Sequence, residues 1–452
     1  MVSNPHSWAA LAGLVVIILI FDGVIASLPF YDSQAQQSFV VAFFFVVEAL
    51  ICSASQILFL RIIKRKYTIS PIIGRFRRYA DITFSIVSLT QYLIIALLLA
   101  TFLQIGMLEQ YNTIIVLISI LLSLFLSVCL TALLTFRFLL WGKRKRDYLI
   151  AAYTIAAILL TINSSFVALF MSLAVQGKPI IIYSTRESST EQGMTSTIVS
   201  NFAIRQFQAN LSVSSFVSFW IASVFLLRQY RKKWGAIKFY TIISIPLVYY
   251  LGILQVAFSD LLVTHHLMNI LQIYTFNIVN SILTKPVGGV LFGMAFWIVG
   301  RSVNDKNISD YMKISAIGIM LLSISNQDAG LYLLPYPPFG LPTITFVGIA
   351  SYMLFIGLYY SAISISLNAE LRKAIKKSIE QEFSFVSNIG LSQMEHEIQT
   401  RVKRITKRSA KILEEDSGVE ASLESEDIEN YIRLVIKEKE KMLRDNRNKD
   451  DD

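Results

Sequence analysis

The sequence predicts an all-α protein, a polytopic membrane helix bundle of about ten spans with a helical cytoplasmic C-terminal tail. Three observations predict it. The 452 residues are 54% hydrophobic and only 16% charged, a balance that soluble domains of this length rarely show. The apolar residues gather into runs of about 20 or more, the length that crosses a hydrocarbon core of about 30 Å. The charges gather between those runs, and the short connections alternate between basic and free of cations.

Ten runs qualify, at roughly 8–29, 38–60, 82–107, 113–140, 149–176, 212–229, 239–260, 266–300, 314–334 and 341–367. The first has no basic n-region and no clear small-residue cleavage site, so it is expected to be a retained span. The second is followed by Arg61, Lys64, Arg65, Lys66, Arg75, Arg77 and Arg78. The fourth is followed by Lys143, Arg144, Lys145 and Arg146, and the sixth by Arg228, Arg231, Lys232, Lys233 and Lys238. Arg301, Lys306 and Lys313 follow the eighth. The opposite connections, near 30–37, 108–112, 259–265 and 335–340, hold no Lys or Arg. Cations stay on the cytoplasmic side, so both termini are expected there, in a multi-pass protein of the cell membrane.

The longest outer connection, 177–211, is polar and ends in an Asn210-Leu-Ser212 sequon, a candidate glycan acceptor on the outer face. Pro246 should kink the seventh run. The eighth is too long for one straight span, and Thr284-Lys285-Pro286 with Gly288-Gly289 offers a place to bend or break it. Gly289 and Gly293 are spaced for close helix packing. Splitting the chain at 177–211 leaves five runs on each side, the count of an inverted repeat, although no motif recurs between the halves.

The basic excess belongs to the membrane part. Residues 1–367 hold 24 Lys/Arg against 12 Asp/Glu, and residues 368–452 hold 17 against 19. The excess therefore reports orientation, and no nucleic acid is expected as a partner. Cys52 and Cys129 both sit inside apolar runs, which supports neither a disulfide framework nor a metal site. No cofactor is expected.

Ionisable groups inside spans are costly and face a bundle interior or a water-filled cavity. Asp22, Glu48, Lys285 and Asp328 are such groups, with Asn326 and Gln327 beside the last. On the eighth run Asn269, Gln272, Asn277, Asn280 and Thr284 occupy an arc of roughly 140°. Asp22, Glu48, Asn277, Asn280, Lys285, Asn326, Gln327 and Asp328 are therefore the candidate pocket for a small solute or ion, with Asp260, His265 and His266 at its outer mouth. The competing reading pairs Lys285 with one carboxylate and makes the amides glue between helices.

The stretch 314–378 looks like an organising unit: a hairpin turned by Pro-Tyr-Pro-Pro-Phe-Gly at 335–340 whose second arm runs on into a charged helix. Leu371, Ile375, Ile379 and Phe383 recur every four residues and prolong that helix. Asn388-Ile-Gly390 is expected to break it. Leu391, Ile398, Ile405 and Ile412 then recur every seven, a coiled-coil-like spacing, although Arg401 and Arg408 take the next core positions. Asp416-Ser-Gly418 marks a turn, and Ser425 opens a last helix before a disordered end at 446–452. The expected organisation is a transmembrane domain over 1–367 and a tail over 368–445 that offers a docking arm to a cytoplasmic protein.

Met394-Glu-His396-Glu397-Ile398-Gln399-Thr400 resembles the phospho-acceptor box of histidine kinases. That resemblance implies His396 as a phospho-acceptor; the plainer reading is a solvent-facing helical histidine. Arg401 stands where the box usually has Pro, and the residues beyond 400 cannot hold a kinase ATP domain. Pro-Tyr-Pro-Pro-Phe-Gly, Leu-Arg-Lys-Ala-Ile-Lys-Lys-Ser at 371–378 and Met-Glu-His-Glu-Ile at 394–398 together resemble uncharacterised multi-pass membrane proteins of ammonia-oxidising archaea. The match covers the last third of the chain and implies no activity.

No nucleotide loop, metal box or nucleophile–base set is visible, so an enzyme is not expected. The preferred reading is a membrane sensor or regulatory protein that relays binding in the outer half to the tail. The alternatives are a secondary transporter or channel built on the buried acids and a broken eighth helix, and a non-catalytic assembly subunit.

Overall fold

The computed structural model describes residues 34–69, 75–108, 110–144, 147–176, 182–184, 202–250, 270–303, 305–325, 341–367 and 384–417. The first expected span, the turn at 335–340, the relay segment 368–383 and everything after Ser417 lie outside the described residues.

Ten long helices make up the described bundle: α1 Gln34–Ile69, α2 Arg75–Leu108, α3 Thr113–Arg144, α4 Tyr148–Gln176, α5 Phe202–Leu227, α6 Ala236–Tyr250, α7 Ile270–Ser302, α8 Lys306–Ser325, α9 Leu341–Leu367 and α10 Ser384–Ser417. Two three-residue strands, β1 Gln110–Asn112 and β2 Ile182–Ser184, pair antiparallel beyond the ends of α2 and α4. A single helical turn, Arg231–Trp234, links α5 to α6 through Gly235 at φ +82°, a left-handed conformation that glycine adopts without strain. Helices α1 to α5, α8 and α9 are long and apolar enough to cross a membrane, and α6 and the described part of α7 are apolar but shorter. This is an all-α, multi-pass membrane bundle in contact with lipid.

Several boundaries differ from the sequence expectation. Helix α1 runs nine residues past its apolar stretch, through Arg61 and Lys64–Lys66. Lys and Arg are good helix formers, and their long stems let charge leave the hydrocarbon. Helix α5 starts at Phe202, so Asn210 lies exposed on a helix rather than in a loop. Residues 202–211 hold no Gly or Pro to stop the helix. The expected break in the eighth run is absent: α7 is one helix with Pro286 inside it. The expected break at Asn388-Ile-Gly390 is absent too, because α10 passes straight through it. It is described as far as Ser417, so the turn expected at 416–418 lies at the limit of the described residues.

Helix α9 is the hub. It touches α1, α2, α3, α8 and α10, and every residue of 344–366 except Ser364 is buried. Small residues permit this. A Cβ added at Gly357 would strike the Tyr311 carbonyl and Ser315 of α8, and one at Gly318 would strike the backbone of Ala350 and Leu354. Gly289, Gly293 and Gly300 line α7 against Ser323, Met320 and Met312 of α8 in the same way. On the other side of α9, Ser351 bonds Ser127 at 2.7 Å and the Gly348 N–H donates to Ser123 Oγ at 3.3 Å. Glu48, Cys52, Gln56, Phe59, Ile63 and Lys66 recur along α1 in steps of three and four, and the first five are fully buried.

The basic connections come together at one end of the bundle. Lys66 at the end of α1 pairs with Asp310 at the start of α8, with Lys313 at 3.7 Å from the same carboxylate. Tyr230 after α5 donates to Ser302 Oγ at the end of α7, at 3.1 Å. We call this the basic end.

Candidate functional site

In the half of the bundle away from the basic end, α4 to α8 leave a cavity of about 50 Å³. Its polar lining is Asn163, Ser212, Ser215, Ser323 and the Tyr250 hydroxyl; Phe216, Phe219 and Phe292 supply most of the rest. Asn163 is 1% exposed and its carbonyl Oδ1 accepts no hydrogen bond. Tyr250 stacks on Phe216 at 3.6 Å between centroids and 4° between planes, and Ser212 Oγ lies 3.4 Å from the Tyr250 hydroxyl. Phe216 reaches this position because residue 288 is glycine; a Cβ there would strike the Phe216 ring. Among the described residues no charged side chain lines the cavity. It has room for a few water-sized atoms, far less than the several hundred Å³ of a drug-sized pocket.

At the basic end the first half of α10 is packed into the bundle. Phe385, Val386 and Ile389 are buried. The Phe385 ring meets Tyr153 of α4 at 4.9 Å and Phe296 of α7 at 6.3 Å. Gly390 lies against Ile365 of α9, where a Cβ would not fit. The buried Trp141 indole donates to Gln393 Oε1 at 3.1 Å, and Asn388 donates to Asp147 between α3 and α4. Glu397 accepts from Gln393 Nε2 at 3.0 Å and from Ser366 of α9 at 3.3 Å.

His396 belongs to the same contact. Arg144 Nη2 lies 2.8 Å from His396 Nδ1. A guanidinium only donates, so Nδ1 accepts and the neutral ring carries its proton on Nε2. Burial, then the charges of Arg144 and Arg137, hold its pKa below the ordinary histidine value. His396 is therefore a half-buried, hydrogen-bonded residue, not a solvent-facing one.

The two sites are joined by aromatic rings. Phe216 and Phe219 meet Phe292 at 5.4 and 5.8 Å. Phe292 and Phe296 are one turn apart on α7 and share a face. Phe296 meets Tyr153 at 5.4 Å, and both meet Phe385. A column of packed rings thus runs from the cavity wall to the tail.

The pocket residues expected from sequence divide three ways. Asp22, Asp260, His265, His266, Asn326, Gln327 and Asp328 lie outside the described residues. Asn277, Asn280 and Lys285 lie on α7 above Gly288, with the helix backbone alone described. Glu48 is buried at 2% exposure on α1, away from the cavity lining. The helix that carries it packs on α2 and α9, so this acid belongs to a different seam. Sequence reasoning missed Asn163, Ser212, Ser215 and Ser323, because single Ser and Asn residues in a span are common. It also missed Asp310, which reads as a loop charge but is 2% exposed. Its signal was an acid three residues before Lys313 at the mouth of an apolar run.

No protein-family model, curated protein or solved structure matches the chain.

Proposed function

We propose that the protein is a non-catalytic membrane sensor or regulatory protein, which binds a small uncharged polar solute in the α4–α8 cavity and reports its occupancy through α10. The observation that supports this most is the ring column: Phe292 lines the cavity, and Phe296, one turn below, touches Phe385 of the docked tail. The lining argues for the ligand class. Among the described residues it offers an orphan acceptor, four hydroxyls and aromatic faces, and no charge to balance an ion. A bound solute alters the tail only if it binds the docked and undocked forms differently; Phe216 and Phe292 are the side chains it would move. On this reading the basic end is cytoplasmic.

The test is a thermal-shift screen of small neutral hydrogen-bond donors on the full chain in nanodiscs. A solute that raises Tm should lose its effect in Asn163→Leu and keep binding when residues 384–452 are deleted. If every such solute stabilises wild type and Asn163→Leu equally, the cavity is not the binding site.

A secondary transporter is the second reading, supported by the buried Glu48. It predicts solute flux that survives deletion of 384–452 and stops in Glu48→Gln.

A further inference from the structure

Helix α10 crosses the end of the bundle and does not prolong a span. Phe385 and Glu397 are twelve residues, about 18 Å of helix, apart. Yet both reach groups near the span ends: Phe385 meets Tyr153 and Phe296, and Glu397 meets Ser366. Past Glu397 no described side chain up to Ser409 is buried, and most are exposed.

One face of α10 changes character at that point. Ile389, Gln393 and Glu397 lean on the bundle. Continuing along the same face in steps of three and four reaches Thr400, Arg404, Lys407 and Lys411. Arg401, Lys403 and Arg408 flank that line, and residues 401–411 contain no Asp or Glu. Ile398, Val402 and Ile405 take the opposite side. So the face that rests on span ends carries Arg404, Lys407 and Lys411 where the span ends stop, ahead of Glu414 and Glu415. The layer that continues laterally from span ends is the headgroup layer of the bilayer.

We propose that the cationic face of α10, residues 401–411, rests on anionic lipid headgroups at the basic end of the bundle. Six cations without an acid are repelled by a second copy of the same face and attracted by an anionic leaflet within a Debye length. Bound lipid would hold the distal half of α10 in the membrane plane and so set how readily the tail swings out. This surface stands independently of the sensor reading.

The test places a nitroxide on the full chain in nanodiscs, at Thr400→Cys on the cationic face or Ser409→Cys on the other, in a Cys129→Ser background; Cys52 is fully buried. Access of a water-soluble relaxation agent to position 400 should fall about twofold or more when zwitterionic lipid gains about 30% anionic lipid. The fall should reverse in about 0.5 M salt. It should not occur when Arg401, Lys403, Arg404 and Arg408 are all changed to Glu, and position 409 should stay open throughout. Equal access at position 400 in both lipids overturns the proposal. Protection in both lipids also overturns it: loss of that protection on deleting 418–452 makes the chain's own end the occupant, and dependence on copies per disc makes it a second protein.

Discussion

Helices α2 and α9 are both long and apolar, and the one whose spanning stretch has the higher hydropathy is the more exposed. In the most apolar 18 residues of α2 28% are buried, whereas in those of α9 all are. Helix α2 shows Ile82, Ile86, Leu89 and Leu93 to the surroundings. Helix α9 carries Gly348, Ala350, Ser351, Gly357, Ser361 and Ala362 through the middle of the protein. The difference is what lipid as a solvent demands. Lipid tails are as apolar as leucine, so apolarity drives no helix inward; close backbone approach and buried hydroxyls do.

The largest expected effect breaks that contrast directly. Gly357→Leu would force a side chain into the α8 backbone, where nothing can yield. We expect no monodisperse folded protein in size-exclusion chromatography. Leu89→Ala on α2, at a residue 72% exposed, should unfold within about 0.5 kcal/mol of wild type. If the two variants behave alike, α9 is not the hub.

A smaller effect concerns the ion pair between α1 and α8 at the basic end. Asp310→Ala leaves Lys66 nearly buried without its partner, and removing one member of a buried pair costs about 3 kcal/mol or more. Denaturant unfolding in nanodiscs should show that loss, and Asp310→Ala with Lys66→Met should recover part of it. No recovery would mean that the pair is not what Asp310 contributes.

The smallest effect concerns the docked tail. The docked His396 has a lowered pKa through burial and the neighbouring Arg144 and Arg137; once undocked it regains a value near the ordinary one. The neutral ring is thus the docked form. Docking is fully stabilised above the undocked pKa and weakens as pH falls through the lower docked value. Intrinsic-rate-corrected amide exchange over 385–397 should therefore speed up between about pH 7.5 and about pH 5.5. His396→Gln should flatten the profile. An unchanged slope in that variant would assign the pH effect elsewhere.

The same contrast explains what could be read from sequence. Fold class and most spans were legible because a membrane span is a local property of length and hydropathy. The stretch 314–378 stood out for its link to the tail, not for a central place; the burial of 341–367 comes from small residues that hydropathy does not rank. The tail was legible as a helix and misjudged in its middle: Asn388 and Gly390 look like a break but serve packing. Asn388 binds Asp147, and Gly390 lets α10 cross Ile365. The cavity was not legible. Its lining comes from five helices, and Asn163 acquires meaning only when Ser212 and Phe292 arrive beside it. Ionisable residues drew attention instead, and Glu48 sits in another seam.

The measurement that tests the account most directly asks whether the cavity wall and the tail are coupled. Gly288→Ala should push the Phe216 ring off its place in the wall without disturbing α7, and Asn163→Leu fills the cavity from α4. Amide exchange over 385–397, in nanodiscs at neutral pH, would be compared among wild type, these two variants and Leu89→Ala. The account predicts a change of about threefold or more for both cavity variants and none for Leu89→Ala. Wild-type exchange in both cavity variants, with Phe216 shown to have moved, would contradict it: the ring column would then be packing alone.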